Sequence, residues 1–121
     1  MAVYQTRGFH RFARKAKISA VDLLDAIDRA QCGLIDADLG GGLIKATDRP
    51  ARQGKRGGHL GIVAYRTGSL AVFVFASSKN ELENIGADDL ADLRLLAKGW
   101  LDSAATVARD LETGVLIEAA P

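Results

Sequence analysis

The sequence predicts an α+β fold: a small twisted antiparallel sheet of three to four strands, with two N-terminal helices and one to two C-terminal helices, in a single domain over residues 1–121. Three observations predict it. From His59 to Ala76 the residues are almost all apolar, β-branched or aromatic, broken once at Arg66-Thr67-Gly68-Ser69, where Gly68 can take the positive φ of a hairpin turn. Ser19 opens an apolar stripe of helical spacing, and Ala87 to Leu101 repeats that spacing near the C-terminus. With 121 residues, 48% hydrophobic and 26% charged, the chain can build one core without staples, and its single cysteine, Cys32, allows no internal disulfide.

Taken in order, Val3 to Gln5 reads as a short edge strand. Arg7, Arg11, Arg14, Lys15 and Lys17 then surround Phe9 and Phe12 in a helical segment ending before Ile18. Phe9 and Phe12 are three apart and share a helix face, which makes them core anchors before base-stacking platforms. Ser19 can cap the second helix, Asp22 stands three residues on, and Leu23, Leu24, Ile27 and Ala30 form its stripe. Gly33 is a ready stop after Gln31. Leu34 to Leu39 is open between a helical turn and a loop. Gly40-Gly41-Gly42 is a joint into a strand at Leu43 to Thr47, because no lysine-serine or lysine-threonine pair follows to make it a phosphate loop.

Asp48 to Gly58 combines Pro50 and three glycines with Arg49, Arg52, Lys55 and Arg56. It cannot be a regular element, and its guanidinium forks suit phosphate. If the hairpin centres on Gly68, Ile62 faces Val74, Ala64 faces Val72 and His59 faces Ser77. One hairpin face is then Leu60, Ile62, Ala64, Leu70, Val72 and Val74, which wants a helix over it; the other carries His59, Tyr65, Phe73 and Phe75. After the hairpin, Leu90, Leu93, Leu96, Ala97 and Trp100 face one way along a helix. Asp102-Ser103 restarts a shorter one with Ala104, Val107, Ala108 and Leu111 inward, and Gly114 ends it. Val115 to Ile117 is an apolar tail able to pair with a sheet edge or a partner.

Net charge is only +1, but the charges are in blocks. Residues 1–18 hold five Lys/Arg and no acid, 19–44 one against five, 45–68 six against one, and 69–121 four against nine. A positive patch therefore survives beneath a neutral total. Two separated histidines and one cysteine make no zinc cluster, so no metal or cofactor is expected. Ser77 and Ser78 have no local His-Asp arrangement for serine hydrolysis. No apolar run approaches the roughly 18 to 20 residues that span a bilayer, and a cytoplasmic protein without membrane contact is expected.

What remains is cationic: Lys45, Arg49, Arg52, Lys55, Arg56, His59, Arg66 and Lys79. Such groups can support RNA cleavage, because the 2′-hydroxyl of the RNA is itself the nucleophile. The protein must align it, stabilise charge on the phosphate and supply a base and an acid. A histidine or a lysine among cations can do the proton work.

The stretch GKRGG running into HLGIVAYR, with the exit SSKNELENI, resembles the RelE/HigB-like toxins of bacterial type II toxin-antitoxin systems over about Gly40 to Lys98. The resemblance implies a RelE-like fold and an mRNA endonuclease acting in the ribosomal decoding site. It also implies a cognate antitoxin as partner, and contact with operator DNA only through that antitoxin. It matches Lys45, Lys55, Arg56 and Lys79 to phosphate-facing or catalytic basic positions; with His59 taken from the residues themselves as acid or base, the catalytic candidates are His59, Lys55, Arg56 and Lys79, and Lys45, Arg49, Arg52 and Arg66 are the RNA-binding ones. The chain departs from the family pattern where His59-Leu60 replaces an aromatic followed by an arginine, and where Asn80 and Gly86 stand in place of a second arginine and a late tyrosine. An inactive homologue retained as antitoxin partner and co-repressor is therefore a second reading, and a ParE-like gyrase inhibitor a third.

Overall fold

The computed structural model describes residues 1–47, 60–77 and 86–119. The chain runs β1 (Ala2–Thr6), α1 (Arg7–Ala16), α2 (Ala20–Gln31), β2 (Ala37–Gly40), β3 (Leu43–Thr47), β4 (Leu60–Arg66), β5 (Leu70–Ser77), α3 (Ala87–Asp102), α4 (Ala104–Glu112) and β6 (Leu116–Glu118). The α+β class and the two helical pairs are as the sequence predicts. The sheet is larger, with six strands in the order β2-β3-β4-β5-β1-β6. It is also mixed, because β1 pairs parallel to β5 while its other neighbour, β6, runs antiparallel.

Two expectations about strands are corrected here. β1 is not an edge: the C-terminal tail adds β6 outside it, and β6 takes the edge instead. Leu34 to Leu39 is not just a loop or a helical turn, since Ala37 begins a strand that pairs with Lys45 and Ile44 of β3. Five-residue and three-residue strands carry too little local pattern to announce themselves; their ladders to longer neighbours make them.

Both faces of the sheet are covered. Phe9, Ala13, Leu23, Ala26, Ile27 and Ala30 from α1 and α2 pack on Ile44, Ala46, Val63, Ala71 and Phe73. Ala97, Trp100 and Val107 from α3 and α4 pack on Leu43, Ile62, Ala64, Val72 and Val74. The first α1 turn is set by Thr6, whose side chain accepts from the Phe9 N–H at 3.1 Å, and the Phe9 and Phe73 rings meet at 5.1 Å between centroids. Burying each such ring contributes roughly 1.5–3 kcal/mol. Phe9 is thus the core anchor expected. The hairpin face holding Tyr65 and Phe73 is a second core wall, with Phe73 only 2% exposed.

Helix α2 opens on a reciprocal capping box: the Asp22 N–H donates to Ser19 Oγ, and the Ser19 N–H donates to the Asp22 carboxylate. Its buried stripe is Leu23, Ala26, Ile27 and Ala30, with Leu24 left exposed, so the stripe is rotated from the one predicted. On α3 the same correction applies to Leu96, which is 50% exposed while Leu101 packs inward. The three glycines are a tight turn, with φ of 84°, 63° and 86° at Gly40, Gly41 and Gly42. Arg94 of α3 clamps that turn, donating from Nε and Nη2 to the Leu39 carbonyl at 3.1 and 2.7 Å. Between α3 and α4, buried Trp100 donates from Nε1 to Asp110 Oδ2 at 2.8 Å.

Candidate functional site

The hairpin turns at Gly68, φ 74°, and near the turn its register is the expected one, with Ala64 opposite Val72. Between Ile62 and Val63 the ladder shifts by one residue. Beyond that bulge Ile62 faces Phe75 instead of Val74, and Ser77 faces Leu60 instead of His59. Phe75 consequently sits on the face of Ile62 and Val72 rather than with Phe73, which corrects the predicted face. Bulges of this kind re-aim side chains and sharpen the local twist.

The register aligns three strand ends. Thr47 is opposite Leu60, and Leu60 is opposite Ser77. Strand β1 runs parallel to β5, so its C-terminal end points the same way, and Thr6 Oγ1 donates to the Val74 carbonyl at 3.0 Å. Helix α1 therefore starts at this same end of the sheet. Its Arg7, Arg11, Arg14, Lys15 and Lys17 are exposed, and none of the five makes an ion pair with another described residue.

Of the predicted site residues, Lys45 lies in the middle of β3, half-buried, on the face of Leu43 and Ile62. It is in cross-strand register with Ile62 and, through it, with Phe75. Arg66 closes β4 at the opposite end. It is four residues along the strand from Ile62, about 13 Å at the usual rise. Its Nη2 lies 3.9 Å from Asp102 Oδ1. There it borders an open groove of about 730 Å³ lined also by Gly41, Gly42, Leu95 and Leu101. Asp102 accepts from Lys98 Nζ at 2.8 Å; that hydrogen bond holds the exposed carboxyl below its usual range and raises the Lys98 ammonium. Arg49, Arg52, Lys55, Arg56, His59 and Lys79 lie outside the described residues. The sequence alone did not mark Phe75 as an exposed aromatic beside Lys45 and Ile62; the bulge that puts it there shows only in the ladder. Among the described residues no group of three or more His, Cys, Asp or Glu is placed to hold a metal ion. No described helix is long and apolar enough to cross a membrane.

A six-stranded mixed sheet between two helical pairs, with the basic stretch of residues 48–59 joining two adjacent strand ends, defines a small three-layer α+β protein. The chain belongs to the RelE toxin family: the family model described as RelE toxin of the RelE / RelB toxin-antitoxin system matches residues 1–119. It is thus a toxin of a toxin-antitoxin system, and the family implies an antitoxin partner. No curated protein and no solved structure matches the chain.

Proposed function

We propose that this toxin is a ribosome-dependent mRNA endonuclease that stops translation from the cytoplasm. The observation that supports this best is the alignment of Thr47, Leu60 and Ser77 at one end of the sheet. Lys55, Arg56 and His59 belong to the segment joining the first two of these residues, and Lys79 follows the third by two positions. Lys45 lies two residues before Thr47 in β3.

In this reading the RNA 2′-hydroxyl attacks the adjacent phosphorus and the 5′-oxygen of the next nucleotide leaves. The 2′-proton goes to a base and the leaving oxygen takes a proton from an acid. His59 serves as acid or base, and Lys55, Arg56 and Lys79 neutralise the charge that builds on the phosphate. Lys45, Arg49 and Arg52 bind the flanking backbone, and Arg66, beside Asp102 at the other end of β4, has no part in this reading. Induced expression should halt growth and translation, with discrete mRNA cuts mapped by primer extension. Normal growth at high expression with intact mRNA would defeat the proposal.

A second reading rests on Leu60, which stands where the family resemblance places an arginine. It makes the chain a nuclease-deficient toxin kept as antitoxin partner and co-repressor. Toxicity that appears only in Leu60→Arg would favour it. Growth arrest with a DNA-damage response and unchanged mRNA would point instead to gyrase.

A further inference from the structure

Among the described residues Phe75 is an anomaly. It is a large aromatic in a central strand, 41% exposed, while its neighbours along β5, Phe73 and Val74, are 2% and 8% exposed. The bulge at Ile62/Val63 puts it there. Without the shift Phe75 would alternate onto the face packed by α1 and α2, as Phe73 does; with it, the ring stands beside Ile62 on the opposite face. A ladder that keeps an aromatic out of an available core wall spends burial that the fold does not recover at that position. Ile62 next to it is fully buried, and Lys45 stands on the far side of Ile62. Two strand spacings separate Phe75 from Lys45, about 10 Å. A lysine stem reaches across much of that gap, and a base and the phosphate of a neighbouring nucleotide are separated by a comparable distance.

We infer that Phe75 is a stacking platform for a base of single-stranded RNA, with Lys45 gripping the adjoining phosphate across the dry floor of Ile62. The inference rests on the RNA-directed reading above and adds to it a residue that contacts a base rather than the backbone. Aromatic stacking tolerates any base, so this platform holds the strand in place without selecting sequence. Charge decides the occupant. An apolar peptide would gain from Phe75 but would meet the Lys45 ammonium, whereas RNA uses both.

The test uses the full chain and an uncleavable 2′-O-methyl oligoribonucleotide of about ten nucleotides. Phe75→Trp should show fluorescence quenching on titration, over a constant background from Trp100, which is 4% exposed. Phe75→Ala should raise Kd about tenfold and Phe75→Tyr should restore it. Because Phe75 is exposed, Phe75→Ala should keep the wild-type melting temperature, which circular dichroism checks. Oligonucleotide binding that is unchanged in Phe75→Ala overturns the inference, as does the absence of any binding. The same outcome holds if Phe75→Ala weakens only antitoxin binding. The nuclease reading is judged separately by translation arrest: arrest by wild type and Phe75→Ala at equal dose sinks the platform alone, and inert wild type sinks the nuclease.

Discussion

Gly42 and Gly68 both adopt positive φ, at 86° and 74°, yet they differ in what surrounds them. A Cβ at Gly68 meets nothing within 4 Å, whereas one at Gly42 collides with Leu101 Cδ1, a side chain already packed in the core under α3. Gly68→Ala should therefore cost only left-handed strain, about 1 kcal/mol. Gly42→Ala should cost about 2–3 kcal/mol, since Leu101 must also leave its place. Urea denaturation of the two variants checks this, and equal midpoints would mean that Leu101 swings aside freely. The glycine triplet could be read as a joint from sequence, but not that its last member touches a helix nearly 60 residues away. At the same scale Ser19 and Asp22 were fully legible, because a capping box needs only two residues three apart. Leu24 and Leu96 were not: an apolar residue at the margin of a stripe can fall inside or outside, and the neighbouring element decides.

Elements follow the same division. The hairpin, α1, α2 and both C-terminal helices were legible because each carries its own periodicity and stop signals. The ends of the sheet were not, since β1 and β6 exist through pairing with each other and with β5. That dependence yields a prediction. Ending the chain after Gly114 deletes β6, strips β1 of its cover and removes Leu116, which is 2% exposed in the core beneath α3 and α4. Loss of that side chain alone should cost about 2–5 kcal/mol. The uncovered β1 edge should also promote association through its free N–H and C=O groups. A lower melting temperature together with concentration-dependent oligomers by light scattering would bear this out. A monomer of unchanged stability would show β6 to be a passive tail. The bulge belongs to this scale too: nothing in LGIVAYR or LAVFVFAS marks it, because a one-residue shift is a property of two strands held together.

For the whole molecule, the sequence showed two basic blocks separated by an acidic one, and the topology starts the first at the end of the sheet where the second is attached, on the face opposite Lys45 and Phe75. Helix α1 begins at the end of the sheet where β3 ends and β4 begins, so the first block is folded back beside the attachment points of the second. Lys45 and Arg66 separate the parts of the predicted cluster. Lys45 lies in register with Phe75, whereas Arg66 stands about 13 Å further along the strand beside Asp102. A strand of RNA lying over the Lys45 end exchanges condensed counterions for each phosphate it gives up to a cation, so its affinity falls linearly in log salt with a slope set by the number of contacts. Lys45→Ala should therefore weaken binding of the uncleavable oligonucleotide and reduce that slope by about one. Arg66→Ala should leave the slope unchanged, because its guanidinium is turned toward a carboxylate at the other end. Both substitutions remove one positive charge, so a general effect of net charge predicts equal losses. Equal slopes in the two variants would show that the protein attracts RNA by its overall field rather than gripping it at the aligned strand ends, and the assignment of a site there would fall with it.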